Sequence, residues 1–482
     1  MGLKNFLLKN YSNKQSLIKN TFWLWLGQIA SQLIRMLVII YSARALGSAG
    51  YGAFAYALSL AGFFIVFSDI GINTILTRDS AEHPQQRKQY IATVFIIKQI
   101  LVVFSFLLLL IIGSGINKIP SSREILPLVA LIFAFDALKD FGVALTRSLE
   151  KMEIEALVSV LGSIVLAGLT FFLLSLSPTP EHLAYAYLLS SAFSFLIILI
   201  PQQKYFRETF KNFRLKLIRP ILGSSLALAF SSLFGSIVIY ADTIILGWFA
   251  SVQNIGFYNA AQRPIQFLYL VSGIIASAVL PVMARLAKNN SPELKKIIEK
   301  TLALIMLAGL PIVAGGALLS QPIILFLFGA EYSASGLIFK ILIFTLLFIY
   351  PAHLLTNLII VFNRQKEIIK YWLFSALVII LASLIFIPKW GIIGAALAAL
   401  LSRAIGNGLV FFQAKKIKSF HFFSPLKKIA LATLFMSLLI LLLLSASWPL
   451  AAIIILGAIF YFSVLALLKE PLLKEIVLFW KA

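Results

Sequence analysis

Apolar runs of about twenty residues recur along nearly the whole chain, separated by short polar or basic stretches. A helix that long matches the ~30 Å hydrocarbon core of a bilayer. Only helices and closed barrels satisfy every backbone group in lipid, and a barrel would show short alternating segments instead. The balance of residues agrees: 61% are hydrophobic and 12% charged, with a mean hydropathy of +0.98. About a quarter of residues are charged in ordinary soluble domains. The fold class expected is therefore an all-α polytopic membrane protein.

With the gauge of ~17–25 apolar residues per crossing, about fourteen spans are expected. The first six cover 21–46, 51–72, 90–113, 124–146, 155–176 and 182–201. The next six cover 221–248, 256–286, 297–319, 335–362, 368–387 and 392–412, and a final pair covers 429–446 and 448–468. This divides the chain into a basic interfacial segment (1–20), a six-helix lobe (21–203), a cytoplasmic linker (204–219), a second six-helix lobe (220–414) and a trailing segment (415–482). In the first segment Lys4, Lys9, Lys14 and Lys19 alternate with Leu3, Phe6, Leu7, Leu17 and Ile18. That pattern suits a helix lying on the cytoplasmic leaflet and not a cleavable signal, which has one basic end and then an apolar core.

The net charge of +23 would suggest nucleic acid in a soluble chain. Here it follows the positive-inside rule, which concentrates Lys and Arg in cytoplasmic loops. With both termini inside, the outer side holds little beyond Lys118, Arg123 and Lys389, while Trp248, Trp390 and Trp448 fall at the outer interface. A cell-membrane protein with both termini cytoplasmic is expected, without nucleic acid as a partner. There is no cysteine, hence no disulfide framework and no thiolate ligand or nucleophile.

The two halves share a faint repeat. Ile40-Tyr41, Leu46-Gly47 and Tyr51-Gly52 are echoed by Ile239-Tyr240, Leu246-Gly247 and Ile255-Gly256. Both sets fall at the junction of the first two helices of a half, as parallel repeats of six spans would require. The glycines between Gly47 and Gly52 have neither a preceding strand nor a following Lys-Ser/Thr, so they read as a turn and not a phosphate loop.

Ionisable residues inside the spans carry the functional information, because each costs about 2.5–3.5 kcal/mol at mid-membrane and so faces the bundle interior or water. They are Arg35, Lys98, Asp136, Lys139, Asp140, Arg263, Lys340 and Arg403. Arg35 lies about 21 Å from the inner end of its helix, too deep for easy snorkelling. Arg263 precedes Pro264 and Arg403 lies beside Ser402 and near Asn407, so each suits either a cavity contact or a structural one. Lys98 and Lys340 have stems long enough to reach an interface. Asp136, Lys139 and Asp140 share one helical face, as an internal ion pair or as a site for a coupling ion. Asp69 and Asp242 fall near helix ends, where capping is the commoner role. The deep set has six basic members against two acids, a bias that suits an anionic solute held by guanidinium forks.

Several stretches resemble the Wzx-type polysaccharide flippases of the MATE-like superfamily, which also contains the lipid II flippase. They are 43–47 (Ala-Arg-Ala-Leu-Gly) with 51–55 (Tyr-Gly-Ala-Phe-Ala), 68–73 (Ser-Asp-Ile-Gly-Ile-Asn), 147–152 (Arg-Ser-Leu-Glu-Lys-Met), 255–261 (Ile-Gly-Phe-Tyr-Asn-Ala-Ala) and 387–396. The resemblance implies two six-helix bundles facing a central cationic cavity, with trailing helices that vary among relatives. It implies a carrier of isoprenoid-pyrophosphate-linked oligosaccharide, working by alternating access from the inner to the outer leaflet. By position, Arg35 and Arg263 would hold the pyrophosphate, with Arg403, Lys98 and Lys340 completing the substrate-binding set. Asp136, Lys139, Asp140, Asp69 and Asp242 would serve ion coupling or structure. No cofactor is implied beyond a coupling proton or sodium ion. A monomer is expected, with a polysaccharide polymerase and a chain-length regulator as partners. The alternative is an ion-coupled multidrug or metabolite antiporter of the same superfamily, against which the cationic bias argues. An enzyme is not expected: the outer loops are short, and His83, His182, His353 and His421 are scattered without motif spacing.

Overall fold

The computed structural model describes residues 13–206, 209–289 and 291–473, and within them it is helical with no strand. Lys4 and Lys9 of the interfacial segment, and the last residues of the tail, lie outside the described residues. In order, the long helices are α1 (Asn13–Phe64), α2 (Ile72–Glu82), α3 (Arg87–Leu108), α4 (Pro120–Ser148), α5 (Met152–Leu176) and α6 (Pro180–Leu199). There follow α7 (Ile218–Phe249), α8 (Val252–Lys288), α9 (Glu293–Leu318), α10 (Ser335–Leu342), α11 (Leu346–Val361), α12 (Gln365–Ile417), α13 (Lys427–Ser445) and α14 (Leu450–Leu467). Among the described residues, eleven continuous helical segments are long and apolar enough to cross a membrane. Two of these, led by α1 and α12, each hold two crossings, and α4 has the length for another despite its charges. The polytopic architecture of fourteen membrane helices is thereby accounted for.

Both doubled helices turn at a glycine. Gly47 breaks α1 with φ 67° and ψ 177°, and Gly391 breaks α12 with φ 55°, conformations that a side chain would strain. The phosphate-loop reading of the first corner is excluded, since this backbone joins two helices directly.

The chain forms two compact units, Met1–Gly256 and Phe257–Ala482. Within the first, the echoed stretches meet each other. A Cβ on Gly52 would fall 2.0 Å from the carbonyl oxygen of Val252, and one on Gly256 would fall 2.0 Å from that of Ser48. The contact is reciprocal, 48 with 256 and 252 with 52, which is the signature of a local two-fold relation. Farther along, Tyr56 packs on Gly247 and donates to the Ile244 carbonyl at 3.4 Å. The core of this unit lies among α2, α3, α4 and the start of α7, around Ile72, Ile75, Leu76, Val94, Phe141 and Leu145.

Within the second unit α13 packs on α9 and α14. Pro311 in α9 has no N–H, so the Leu307 carbonyl one turn back loses its helical partner. Tyr461 of α14, buried, donates to that same carbonyl at 2.8 Å. The trailing pair is thus fastened to a specific proline-opened turn.

Candidate functional site

The charged residues of the first unit gather where α1, α3, α4 and α5 meet. Arg35 stands about 18 Å of helix before the Gly47 corner and is exposed on the surface of this unit. Its Nε donates to Ser163 Oγ at 3.3 Å. Ser163 in turn donates to the Ser159 carbonyl at 2.8 Å, so its hydroxyl oxygen is oriented to accept. Among the described residues no carboxylate comes within ion-pairing distance of Arg35.

Beside it on α4, Lys139 Nζ lies 2.7 Å from Asp136 Oδ1 and 4.0 Å from Asp140 Oδ1. The Arg35 charge acts on Lys139, and that of Asp140 is felt by Lys98. Lys98, with a side chain only 1% exposed, approaches Asp69 Oδ1 at 3.6 Å. Asp69 reaches this position because the second span ends in a left-handed pair, Ile70 (φ 39°) and Gly71 (φ 87°). Its carboxylate also accepts the Asn73 backbone N–H at 3.2 Å, the capping role expected from sequence, now joined to an ion pair. Asn73 Oδ1 is buried beside it without a partner among the described residues. Arg35, Lys139 and Lys98 thus stand against Asp136, Asp140 and Asp69. The cationic bias read from the sequence is smaller here, because Asp69 belongs to the cluster.

Two further pairs lie where the inward loops are expected. Arg147 holds Glu155 in a two-pronged pair, Nε to Oε2 at 2.8 Å and Nη2 to Oε1 at 2.6 Å. That hydrogen bonding raises the Arg147 pKa above its ordinary value. The pair closes a turn in which Glu150 takes φ 55°. Lys19, buried instead of lying on the leaflet surface, meets Glu153 at 3.3 Å. Gly27 packs so closely on Ala156 that a Cβ would fall 2.7 Å from the alanine's. These contacts hold the N-terminal half of α1 to α5.

Asp242, on α7, is a local ligand. Its Oδ1 accepts the Thr243 backbone N–H at 2.6 Å and lies 3.3 Å from Oγ1 of the same residue.

The cations of the second unit are more scattered. Arg263, half-buried in α8, has Nη1 at 3.3 Å from Gln266 Oε1. Lys340 is exposed in the last turn of α10. Arg403 is half-buried on α12, beside Ser402, whose hydroxyl donates to the Ser375 carbonyl at 2.8 Å and ties the two arms of that helix together. Among the described residues no group of acids and histidines could hold a metal ion.

The sequence reading missed Ser163 and the Lys19–Glu153 pair. Ser163 had no signal of its own, being one of many serines in apolar spans. Lys19 follows three other lysines, which concealed that it alone of them is described as buried.

The model of the family described as polysaccharide biosynthesis protein matches residues 17–287. The capsular polysaccharide biosynthesis protein CapF of Staphylococcus aureus is 22% identical over 412 residues, covering 83% of this chain and 100% of that protein. A putative O-antigen transporter of Shigella flexneri is 24% identical over 404 residues, covering 80% of this chain and 94% of that one. Among solved structures, the inward closed conformation of the lipid II flippase MurJ superposes with a TM-score of 0.73. It does so at 18% identity, over 93% of this chain and 99% of that chain. At that identity the likeness concerns the fold.

Proposed function

Because this chain belongs to the polysaccharide biosynthesis protein family, we propose that it is a flippase for isoprenoid-pyrophosphate-linked oligosaccharide. It turns the head group from the inner to the outer leaflet by alternating access, for synthesis of a cell-surface polysaccharide, and the isoprenoid tail stays in lipid. Similarity to a protein named as a putative O-antigen transporter supports the substrate class. The observation that carries the site is Arg35, a guanidinium deep in a membrane helix whose one hydrogen-bond partner among the described residues is a serine. A planar fork without a carboxylate is free to take phosphate oxygens, and it binds them more strongly where water is scarce.

Arg263 and Lys340 are the corresponding contacts of the second unit, and Arg403 lies in the same set. Lys98 is withdrawn from this set into its pair with Asp69, where it has a structural role. The Asp136–Lys139–Asp140 face is the place for a coupling proton or sodium ion. One charge crossing ~100 mV contributes about 2.3 kcal/mol, sufficient to bias the cycle. The chain acts as a carrier and not a catalyst, as a monomer with cytoplasmic termini, and it hands its cargo to a polymerase and a chain-length regulator.

In a strain deleted for this chain, lipid-linked oligosaccharide should accumulate on the inner leaflet and surface polysaccharide should disappear. Wild-type protein should restore both, and an Arg35→Ala variant at equal protein level should restore neither. Full complementation by that variant would remove Arg35 from the site. Export of a cationic dye with no effect on polysaccharide would support the antiporter reading instead.

A further inference from the structure

Every aspartate of the chain precedes residue 243. Pairs such as Lys295–Glu299 and Arg364–Glu367 lie near the starts of α9 and α12, so among the described residues no acid–base cluster like that of the first unit is found deep in the spans of the second. They hold a polar seam between α8 and α11 instead. Tyr350 Oη donates to the Leu268 carbonyl at 2.9 Å, His353 Nδ1 lies 2.8 Å from Ser272 Oγ, and Asn357 Nδ2 donates to the Ala276 carbonyl at 3.1 Å. The positions on α8 step by four residues and those on α11 by three and four, so the rungs stack one helical turn apart. Two rungs end on backbone carbonyls and keep a fixed charge. The middle rung can change.

Ser272 donates to the Tyr269 carbonyl at 3.2 Å, which leaves its oxygen to accept from Nδ1–H of His353. In that tautomer Nε2 carries a lone pair, and it has no partner among the described residues. The ring is half-buried, and Gly273 packs beside its Nδ1 and Cε1 with room for no more than a methyl in ordinary contact. The titratable neighbours in the seam are Tyr350 and Tyr269, the latter 3.5 Å from Thr345 Oγ1. Among the described residues no Asp, Glu, Lys or Arg acts on the imidazole. His421, the other histidine of this unit, lies outside the spans beside Glu299.

We propose that His353 is a proton-binding site of the second unit, taking a proton at Nε2 while Nδ1 keeps its bond to Ser272. An ionisable side chain held inside a membrane bundle in this way is a site for a travelling charge, and histidine is the side chain that changes charge near neutral pH. The use of the site rests on the flippase reading. Protonation adds a cation to a unit that already carries Arg263, Lys340 and Arg403, and so strengthens its hold on an anionic head group.

The test is the titration of full-length protein in lipid nanodiscs, labelled with nitrogen-15 at histidine, with His353→Gln identifying the resonance. That resonance should report proton uptake at Nε2 as the pH is lowered over the range in which the protein stays folded, and Ser272→Ala should move its midpoint. A His353 signal that stays neutral across that range overturns the proposal. Binding of inorganic pyrophosphate is measured on the same samples, expected to be several-fold tighter at a pH where the His353 resonance is protonated than where it is neutral, with the histidine-dependent part absent in His353→Gln. Titration of His353 without pyrophosphate binding at any pH upholds the proton site and counts against the flippase reading. Pyrophosphate binding with the same pH dependence in both proteins overturns the proposed role of His353 and leaves the flippase reading standing.

Discussion

The two units place charge in the membrane in opposite ways. In the first, three cations stand against three carboxylates, linked from Arg35 through Lys139, Asp136 and Asp140 to Lys98 and Asp69. The second has no aspartate at all; its Arg263 meets a neutral amide and its deepest polar groups form a ladder onto backbone carbonyls. A balanced cluster can exchange partners when an anion or a proton arrives, because each charge already has an opposite at hand. An unbalanced set of cations holds an anion and has little else to do with its charge. Under the proposed function, ion-linked rearrangement would belong to the acids of the first unit and steady attraction to the second, with His353 as its adjustable member.

The comparison breaks most visibly at Arg35. Replacement by alanine should lower flipping at least tenfold, on the order of the 1.5–3 kcal/mol carried by a charge-assisted bond, and Arg35→Lys should recover only part of it. Measurement of surface polysaccharide at matched protein level checks both. Next comes Lys98→Ala, which leaves Asp69 without its cation. A loss of about 2–3 kcal/mol is expected, below the range for a fully buried pair because Asp69 is itself 38% exposed, read as a lower midpoint of thermal unfolding in detergent. Lys98→Met combined with Asp69→Asn should recover much of that stability; no recovery would show that the pair is not what holds the two helices.

Gly52→Ala and Gly256→Ala come third. Each drives a methyl into a carbonyl oxygen across the corner and should cost about 1–3 kcal/mol, with similar size because the contacts are reciprocal. Markedly unequal losses would contradict the two-fold relation. The smallest effect belongs to Tyr461→Phe, which removes the donor to the Leu307 carbonyl. About 1–2 kcal/mol is expected from an orphaned buried acceptor, with flipping retained if α13 and α14 serve only as a brace on α9.

Much of this plan was visible in the sequence, for identifiable reasons. Spans announce themselves by length and hydropathy, and the glycine corners by composition. The echo of Tyr51-Gly52 in Ile255-Gly256 was legible as a repeat, and its meaning became plain when each glycine was found against the other's corner. Along one helix the spacing of Asp136, Lys139 and Asp140 already implied the contact observed. What spacing cannot give is a partner on another helix. Asp69 looked like a cap because its distance from Lys98 in space depends on the Ile70–Gly71 break, and a left-handed isoleucine has no sequence signature. Ser163 beneath Arg35 and Tyr461 on the Pro311 turn were hidden for the same reason.

The most direct test of the central claim uses purified protein in liposomes containing a fluorescent isoprenoid-pyrophosphate oligosaccharide, with a membrane-impermeant quencher reporting the outer leaflet. Wild-type protein should make the inner-leaflet pool accessible well above the rate of empty liposomes, and Arg35→Ala should fall back to that rate while remaining folded and inserted. Equal rates for wild type and empty liposomes, or for wild type and the alanine variant, would contradict the account.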